Sequence, residues 1–430
     1  MKKIITAAAV AAMAASFAAA EVTVGLNARV RPNLYSITGT TEKGDTDAYT
    51  STTYADLDGF GAMSDTLSIK GKTDYAGIQA DLTLTSGIGK DGNEIAELEA
   101  GKAGETAFKI DNYYAWLNWG SFKITGGVYD SRYTNRGNYT ATEQGILDEE
   151  FSKTMGLSTK NGLSVKGAKF LGDFGNVAQV NGGNYLSLLA DYTLNDIAGG
   201  NLLLKGGLVE NAGDEKYKNT NISTESYDSY TDKDGNSFSQ SAGYVFEAAW
   251  RKDDTVAVDF IFKNPCNKAY GFGLYVTPLM IQNTKNVVLG FTYGTREDSI
   301  KSAFAIDLRG QYNIDSQMTV ALGAKYESYE ADVSGADAET AMQVAGEFSY
   351  KVNDIVTAAL DLGYFNQDMD NNDDVDDDGS QFFVTSLRGK FTAGKNAAIT
   401  TALRLKKVLN PADGGTDYTF DIPVVLRVKM

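Results

Sequence analysis

The chain has 430 residues, with 39 lysines and arginines against 56 aspartates and glutamates, a formal net charge of −17. An acidic balance of this size disfavours nucleic acid and anionic lipid head groups as partners, because both would be repelled. Histidine is absent, which removes Ser-His-Asp and Cys-His nucleophiles, imidazole metal sites and the commonest general base together, so no enzymatic role is expected.

Residues 1–20 open with Lys2 and Lys3, run through apolar residues from Ile4 and end in Ala18, Ala19 and Ala20 before Glu21. That is the pattern of a secretory signal peptide with an A-x-A cleavage site, too short and wrongly flanked for a membrane span. Its removal leaves 410 residues (430 minus 20) carrying 37 bases and 56 acids, near net −19. No later stretch offers the roughly 18 consecutive apolar residues of a spanning helix. The single cysteine, Cys266, permits no intramolecular disulfide.

From Glu21 the sequence alternates at once: Val22, Val24, Leu26, Ala28 and Val30 fall on one face, Thr23, Gly25, Asn27, Arg29 and Arg31 on the other. This leaves no room for an N-terminal plug. The period-two pattern recurs and predicts strands over 22–35, 60–72, 75–86, 107–119, 121–129, 185–194, 201–210, 242–251, 255–263, 268–281, 286–295, 300–312, 317–329, 341–352, 355–365, 381–391, 397–407 and 417–430. The count is about eighteen, falling to sixteen if 60–72 and 201–210 are loop and rising if 163–171 joins the wall. Short connections alternate with long polar ones such as 36–59, 87–106, 211–241 and 366–380, the rhythm of barrels with tight turns at one end and large loops at the other.

Each strand has one apolar face and one face bearing Asp, Glu, Lys or Arg. A lipid solvent leaves no backbone group unpaired, so spanning strands must close on themselves. Lysine or arginine turned outward at mid-bilayer would cost about 2–4 kcal/mol each, so the charged face must turn inward. The predicted fold is therefore all-β: residues 21–430 form a single transmembrane antiparallel up-and-down β-barrel of 16–18 strands, wide enough for an aqueous channel. Tyr113, Tyr114, Trp116, Trp119, Trp250, Tyr270, Tyr275, Tyr350 and Tyr364, near strand ends, are expected in the interfacial girdles.

Residues 113–129, YYAWLNWGSFKITGGVY, read as a tight hairpin about Trp119-Gly120-Ser121. The alternation then fails from Asp130 to Asn184, and so long a connection implies a task of its own. A hairpin with the run Phe122-x-Ile124-x-x-Gly127 followed by the longest loop resembles the third-loop region of general bacterial outer-membrane porins. That family carries an arginine shortly after the glycine, whereas here Tyr129 and Asp130 come first and Arg132 follows. The last strand sets Tyr418, Phe420, Ile422, Val424, Leu426, Val428 and Met430 against Asp417, Thr419, Asp421, Pro423, Val425, Arg427 and Lys429. It resembles the C-terminal strand by which outer-membrane barrels are recognised by the insertion machinery, although the family closes on Phe or Trp.

The resemblance implies that 130–184 folds inward as a constriction. Its acids Asp130, Glu143, Asp148, Glu149 and Glu150 would then face a basic wall, Arg388, Lys390, Arg404, Lys406, Arg427, Lys429, Arg29 and Arg31, contributed by strands that become neighbours on closure. Opposed charges of this kind order water and penalise apolar solutes. The inward acids Asp191, Glu247, Asp259, Asp307, Glu347 and Asp361 offer the alternative of charges scattered round a wide bore. The loop with Asp368, Asp370, Asp373, Asp374, Asp376, Asp377 and Asp378 has the alternating oxygens that Ca²⁺ favours, but suits a solvated external loop equally, and no cofactor is expected. Asp232-x-Asp234 begins like an EF-hand loop, yet Ser237 and Gly243 break the pattern. The function expected is passive diffusion of ions and small polar solutes across the outer membrane, by a homotrimer as the family resemblance implies. A substrate-selective channel for sugars or carboxylates, or a barrel-based adhesin using the long loops, are the alternatives.

Overall fold

In the computed structural model the residues described are 21–30, 32–39, 51–56, 64–86, 106–129, 185–210, 229–231, 237–239, 242–264, 269–296, 300–331, 338–366, 381–411 and 417–430. They are strands and their connections, with no helix among them. The strands are β1 (Glu21–Val30), β2 (Asn33–Gly39), β3 (Ser51–Asp56), β4 (Ser64–Lys72), β5 (Ala76–Ser86), β6 (Thr106–Trp119), β7 (Phe122–Tyr129), β8 (Tyr185–Ile197), β9 (Gly200–Glu210), β10 (Ser229–Thr231) and β11 (Ser237–Ser239). They continue as β12 (Ala242–Lys252), β13 (Val256–Asn264), β14 (Ala269–Pro278), β15 (Thr284–Arg296), β16 (Ile300–Asn313), β17 (Met318–Ala331), β18 (Glu339–Lys351), β19 (Val356–Asn366), β20 (Gln381–Ala393), β21 (Ala397–Val408) and β22 (Tyr418–Lys429).

Every neighbouring pair in the wall is antiparallel, and the sheet closes because β1 pairs with β22 on one side, Asn27 opposite Lys429, and with β4 on the other, Glu21 opposite Lys72. β1 and β2 are two parts of one wall strand, as are β3 and β4, so the twenty segments of the sheet make eighteen strands. The join between β1 and β2 falls at Pro32, which has no N–H to give to the ladder; its carbonyl still accepts from the Val424 amide at 2.8 Å. β10 and β11 form a separate small hairpin.

The short turns are chemically well defined. Gly120, with φ of +75°, opens the two-residue β6–β7 turn, which no L side chain would adopt without strain. Asn353 Oδ1 accepts from the Ile355 and Val356 amides, and Asp315 Oδ1 from those of Gln317 and Met318, all between 2.7 and 2.9 Å. In the same β18–β19 turn the Lys351 ammonium beside Asp354 holds that carboxyl below the usual carboxylate range. Trp250 Nε1 donates to the Ile197 carbonyl at 2.8 Å, tying β12 to the end of β8.

Alternation decides what faces out. On β20, Phe383, Leu387 and Phe391 are exposed while Phe382, Val384, Ser386 and Arg388 between them are buried. Leu188, Leu208, Phe246, Phe260, Leu274, Leu322, Phe348, Leu362 and Leu403 are likewise exposed on their strands. A continuous apolar exterior of this kind is stable only against hydrocarbon. Tyr113, Trp119, Tyr270 and Tyr350 are outward and exposed, as a girdle requires. Tyr114, Trp116 and Tyr275 depart from the sequence expectation, for their positions alternate with exposed neighbours and place them inside.

Candidate pore interior

Inward side chains of adjacent strands stand opposite one another, so acids and bases at matched register meet. Lys123 on β7 faces Asp191 on β8, which faces Lys205 on β9, which faces Glu247 on β12. The signs alternate across four strands, the arrangement that stabilises cross-strand pairs. Lys205 Nζ lies 3.8 Å from Glu247 Oε2, and both side chains are buried.

A second cluster joins β18, β19 and β20. Arg388 donates from Nε and Nη2 to the two oxygens of Asp361 at 3.1 and 3.0 Å, and from Nη2 to Glu347 Oε2 at 2.6 Å. This bidentate grip with a second carboxylate is a geometry that guanidinium allows and ammonium does not. Farther round, Arg404 makes a two-pronged contact with Asp421, its Nε at 2.7 Å from Oδ1, and Lys407 pairs with Asp417.

The inward face is not uniformly wet. Ala345, Phe365, Phe382, Val384 and Val408 form a buried apolar cluster on it, with the rings of Phe365 and Phe382 stacked at 4.7 Å. Ala249, Ala257, Ala303, Ala305, Ala321, Ala341 and Ala359 are buried on the same face. Along β12–β20 much of the inner wall is therefore buried, although Lys325, Ser349 and Lys390 are half-exposed there, as are inward residues of β4–β7, such as Ser68, Lys70, Gln79, Trp116 and Lys123, and Arg427 of β22.

Of the basic wall read from sequence, Arg388 and Arg404 are engaged by carboxylates as described. Arg427 Nε donates to Asn27 Oδ1 at 3.1 Å, and Lys406 Nζ rests 4.1 Å from the centre of the Phe382 ring. Lys390 and Lys429 point to the same interior from β20 and β22. Arg29 is placed by its backbone opposite Arg427. Arg31 and the acids Asp130, Glu143, Asp148, Glu149 and Glu150 lie outside the described residues, as do the loop Asp368–Asp378 and the Asp232-x-Asp234 stretch. Among the described residues no group of three or more acids or cysteines is placed to hold a metal.

Trp116, assigned from sequence to the girdle, is instead a feature of the interior. Its indole lies flat on the wall over Gly77, where a Cβ would come within 2.0 Å of the ring. Lys70 Nζ and Lys123 Nζ stand 5.4 and 5.7 Å from its centre. Beside it the Tyr114 hydroxyl donates to Gln79 Oε1 at 2.9 Å, and Gln79 Nε2 donates to Asp81. The signal in the sequence was parity: Trp116 shares its face with Tyr114, not with Tyr113 and Leu117.

No model of a known protein family matches the chain, and no curated protein sequence matches it. Solved structures do. The outer membrane protein OpdK from Pseudomonas aeruginosa superposes with a TM-score of 0.52 at 8% identity, covering 95% of this chain and 98% of that one. OccAB4 of Acinetobacter baumannii gives 0.52 at 9% identity over 96% and 98%, and OccK5 (OpdH) of Pseudomonas aeruginosa 0.51 at 10% over 95% and 98%. The fold is that of outer-membrane porin channels. The porin resemblance read from the 113–129 hairpin and the last strand thus holds for the architecture of the barrel, with sequence identity too low to carry any residue's role across.

Proposed function

We propose that this chain forms a water-filled channel in the outer membrane for passive passage of ions and small hydrophilic solutes. The observation that supports it is a wall of eighteen strands, closed on itself, with lipid-compatible side chains outside and ionisable ones inside. Charge on the inner face is compatible with a membrane only if that face borders water or is ion-paired, and both conditions occur here. The long segment 130–184 is the proposed constriction, its acids set against the bases of β20–β22 and β1. Recognition of the last strand by the insertion machinery and packing of the outer face into a trimer belong to the same reading. Purified protein added to a planar lipid bilayer is expected to insert in stepwise conductance increments. A barrel that serves only to display adhesive loops would insert without them, and that result would refute the channel.

A further inference from the structure

The Trp116 indole differs in kind from what surrounds it. The half-exposed inward residues about it, Ser68, Lys70, Gln79, Asn118 and Lys123, are polar, and Trp116 is half-exposed among them. Its position is fixed, because one face of the ring presses on the Gly77 backbone, where even a Cβ would come within 2.0 Å of it, and the other face turns to the bore. The Tyr114 ring continues the surface, its centroid 5.7 Å from that of the indole and its plane inclined at 38°. Lys70 approaches from β4 and Lys123 from β7, on opposite sides, and their ammonium groups stand 5.4 and 5.7 Å from the indole centre. An ammonium in contact with a ring lies nearer, as Lys406 does at 4.1 Å from the centre of Phe382, so both lysines stand toward the rim of the indole.

A flat apolar surface edged with polar groups has a definite complement. A pyranose ring presents C–H bonds on its faces and hydroxyls round its edge. Those C–H hydrogens, made slightly positive by the neighbouring oxygens, are attracted to the negative face of an indole. Round the edge of this indole lie donors and acceptors together. The ammonium groups of Lys70 and Lys123 donate, the Tyr114 hydroxyl donates to Gln79 Oε1 at 2.9 Å, and Gln79 Nε2 donates to the Asp81 carboxylate at 3.1 and 3.2 Å. These bonds hold the phenol and the amide in place before a solute arrives, which lowers the ordering cost of binding. An aromatic solute would use the ring and leave the polar edge without partners, and a simple ion would use the edge and leave the ring. A hydroxylated ring uses both.

We propose that Trp116, with Tyr114 beside it, is a stacking subsite for neutral saccharides passing through the channel, with Lys70, Lys123 and Gln79 supplying hydrogen bonds to their hydroxyls. The inference rests on the channel reading above and names a substrate class for it.

The test uses the full-length protein in a planar bilayer, with cellobiose, whose rings are flat, as the probe and sorbitol, a polyol without a ring, as the control. Cellobiose is expected to reduce the ion current through open channels saturably, and sorbitol matched for bulk conductivity is not. Trp116→Leu should keep the conductance steps, which show that the barrel has folded, and weaken the block about fivefold or more, the factor that goes with one aromatic stacking contact. In W119F/W250F, where Trp116 is the tryptophan that remains of the 3, cellobiose should change the emission over the same concentrations, a readout that does not depend on the leucine variant folding. A wild type with normal steps and no block beyond the sorbitol control overturns this inference and leaves the channel standing. A current reduced by benzoate and not by cellobiose overturns the saccharide class in favour of aromatic solutes. An unchanged block in the leucine variant, or unchanged emission, overturns the assignment to Trp116. The absence of steps in the wild type removes the inference together with the channel.

Discussion

Replacing Arg388 by methionine tests whether the β18–β20 interior is as dry as its geometry indicates. Arg388 is 5% exposed and Asp361 0%, and the guanidinium makes contacts of 2.6, 3.0 and 3.1 Å to two carboxylates. At about 3 Å and an effective dielectric of about 20, each carboxylate gains roughly 5 kcal/mol of attraction, most of it offset by the loss of hydration on all three groups. Removing the cation alone leaves that desolvation uncompensated and sets Glu347 directly against Asp361, its partner across the ladder. The expected loss is about 3–5 kcal/mol. Equilibrium unfolding by urea in phospholipid vesicles would read it. E347Q/D361N/R388M, which removes the charges together, should recover most of the loss, because an uncharged set of similar volume carries no buried ion. A loss below about 1 kcal/mol for R388M, the value typical of exposed pairs, would refute the reasoning and place the cluster in open water.

Two further outcomes follow from which way side chains point. Leu362, 53% exposed on β19, should cost about 2–4 kcal/mol of stability in lipid vesicles when changed to arginine, whereas Ser68→Arg on the wet inner face of β4 should stay near or below about 1 kcal/mol; a reversed order would mean that the two faces are interchanged. Gly77→Ala should force the Trp116 indole off the wall, destabilising by about 1–3 kcal/mol. In a W119F/W250F background, which leaves Trp116 alone of the 3 tryptophans, its emission should shift to longer wavelength, and unchanged emission would contradict the indole's position over Gly77.

Much of the fold was legible because the lipid imposes a rule that sequence can display. Where a strand crosses hydrocarbon, alternate residues must be apolar, and β22 shows it without interruption from Tyr418 to Val428. Of the two runs that could have been loop, the described part of 60–72 is strand β4 and 201–210 lies in β9, both in the wall, which gives eighteen strands among the described residues. Beyond the hydrocarbon the rule lapses. Residues 36–39 and 51–56, within the connection 36–59 read from sequence, belong to β2 and β3 and continue the first hairpin; Ser, Thr, Asp and Gly in that stretch read as loop, since ladder hydrogen bonds need no greasy side chain once water or neighbouring protein surrounds them. The interior was legible in sign but not in state. Parity put Arg388 and Arg404 inside, whereas their engagement by Asp361, Glu347 and Asp421 depends on cross-strand register, which local sequence does not encode. The same limit hid Trp116, whose platform Gly77 belongs to a different strand.

The seam between β1 and β22 has a bearing on how the molecule is made. Leu26 and Met430 exchange amide and carbonyl at 2.8 and 2.7 Å, and Asn27 receives a hydrogen bond from Arg427 across 400 positions of chain. Among the described strands, β1 therefore keeps one edge of amides and carbonyls open until β22, which follows every other strand of the wall in the chain, arrives beside it. A chain cut short before Tyr418 lacks the strand that covers that edge among the described residues, and an open edge is a template for pairing with other chains.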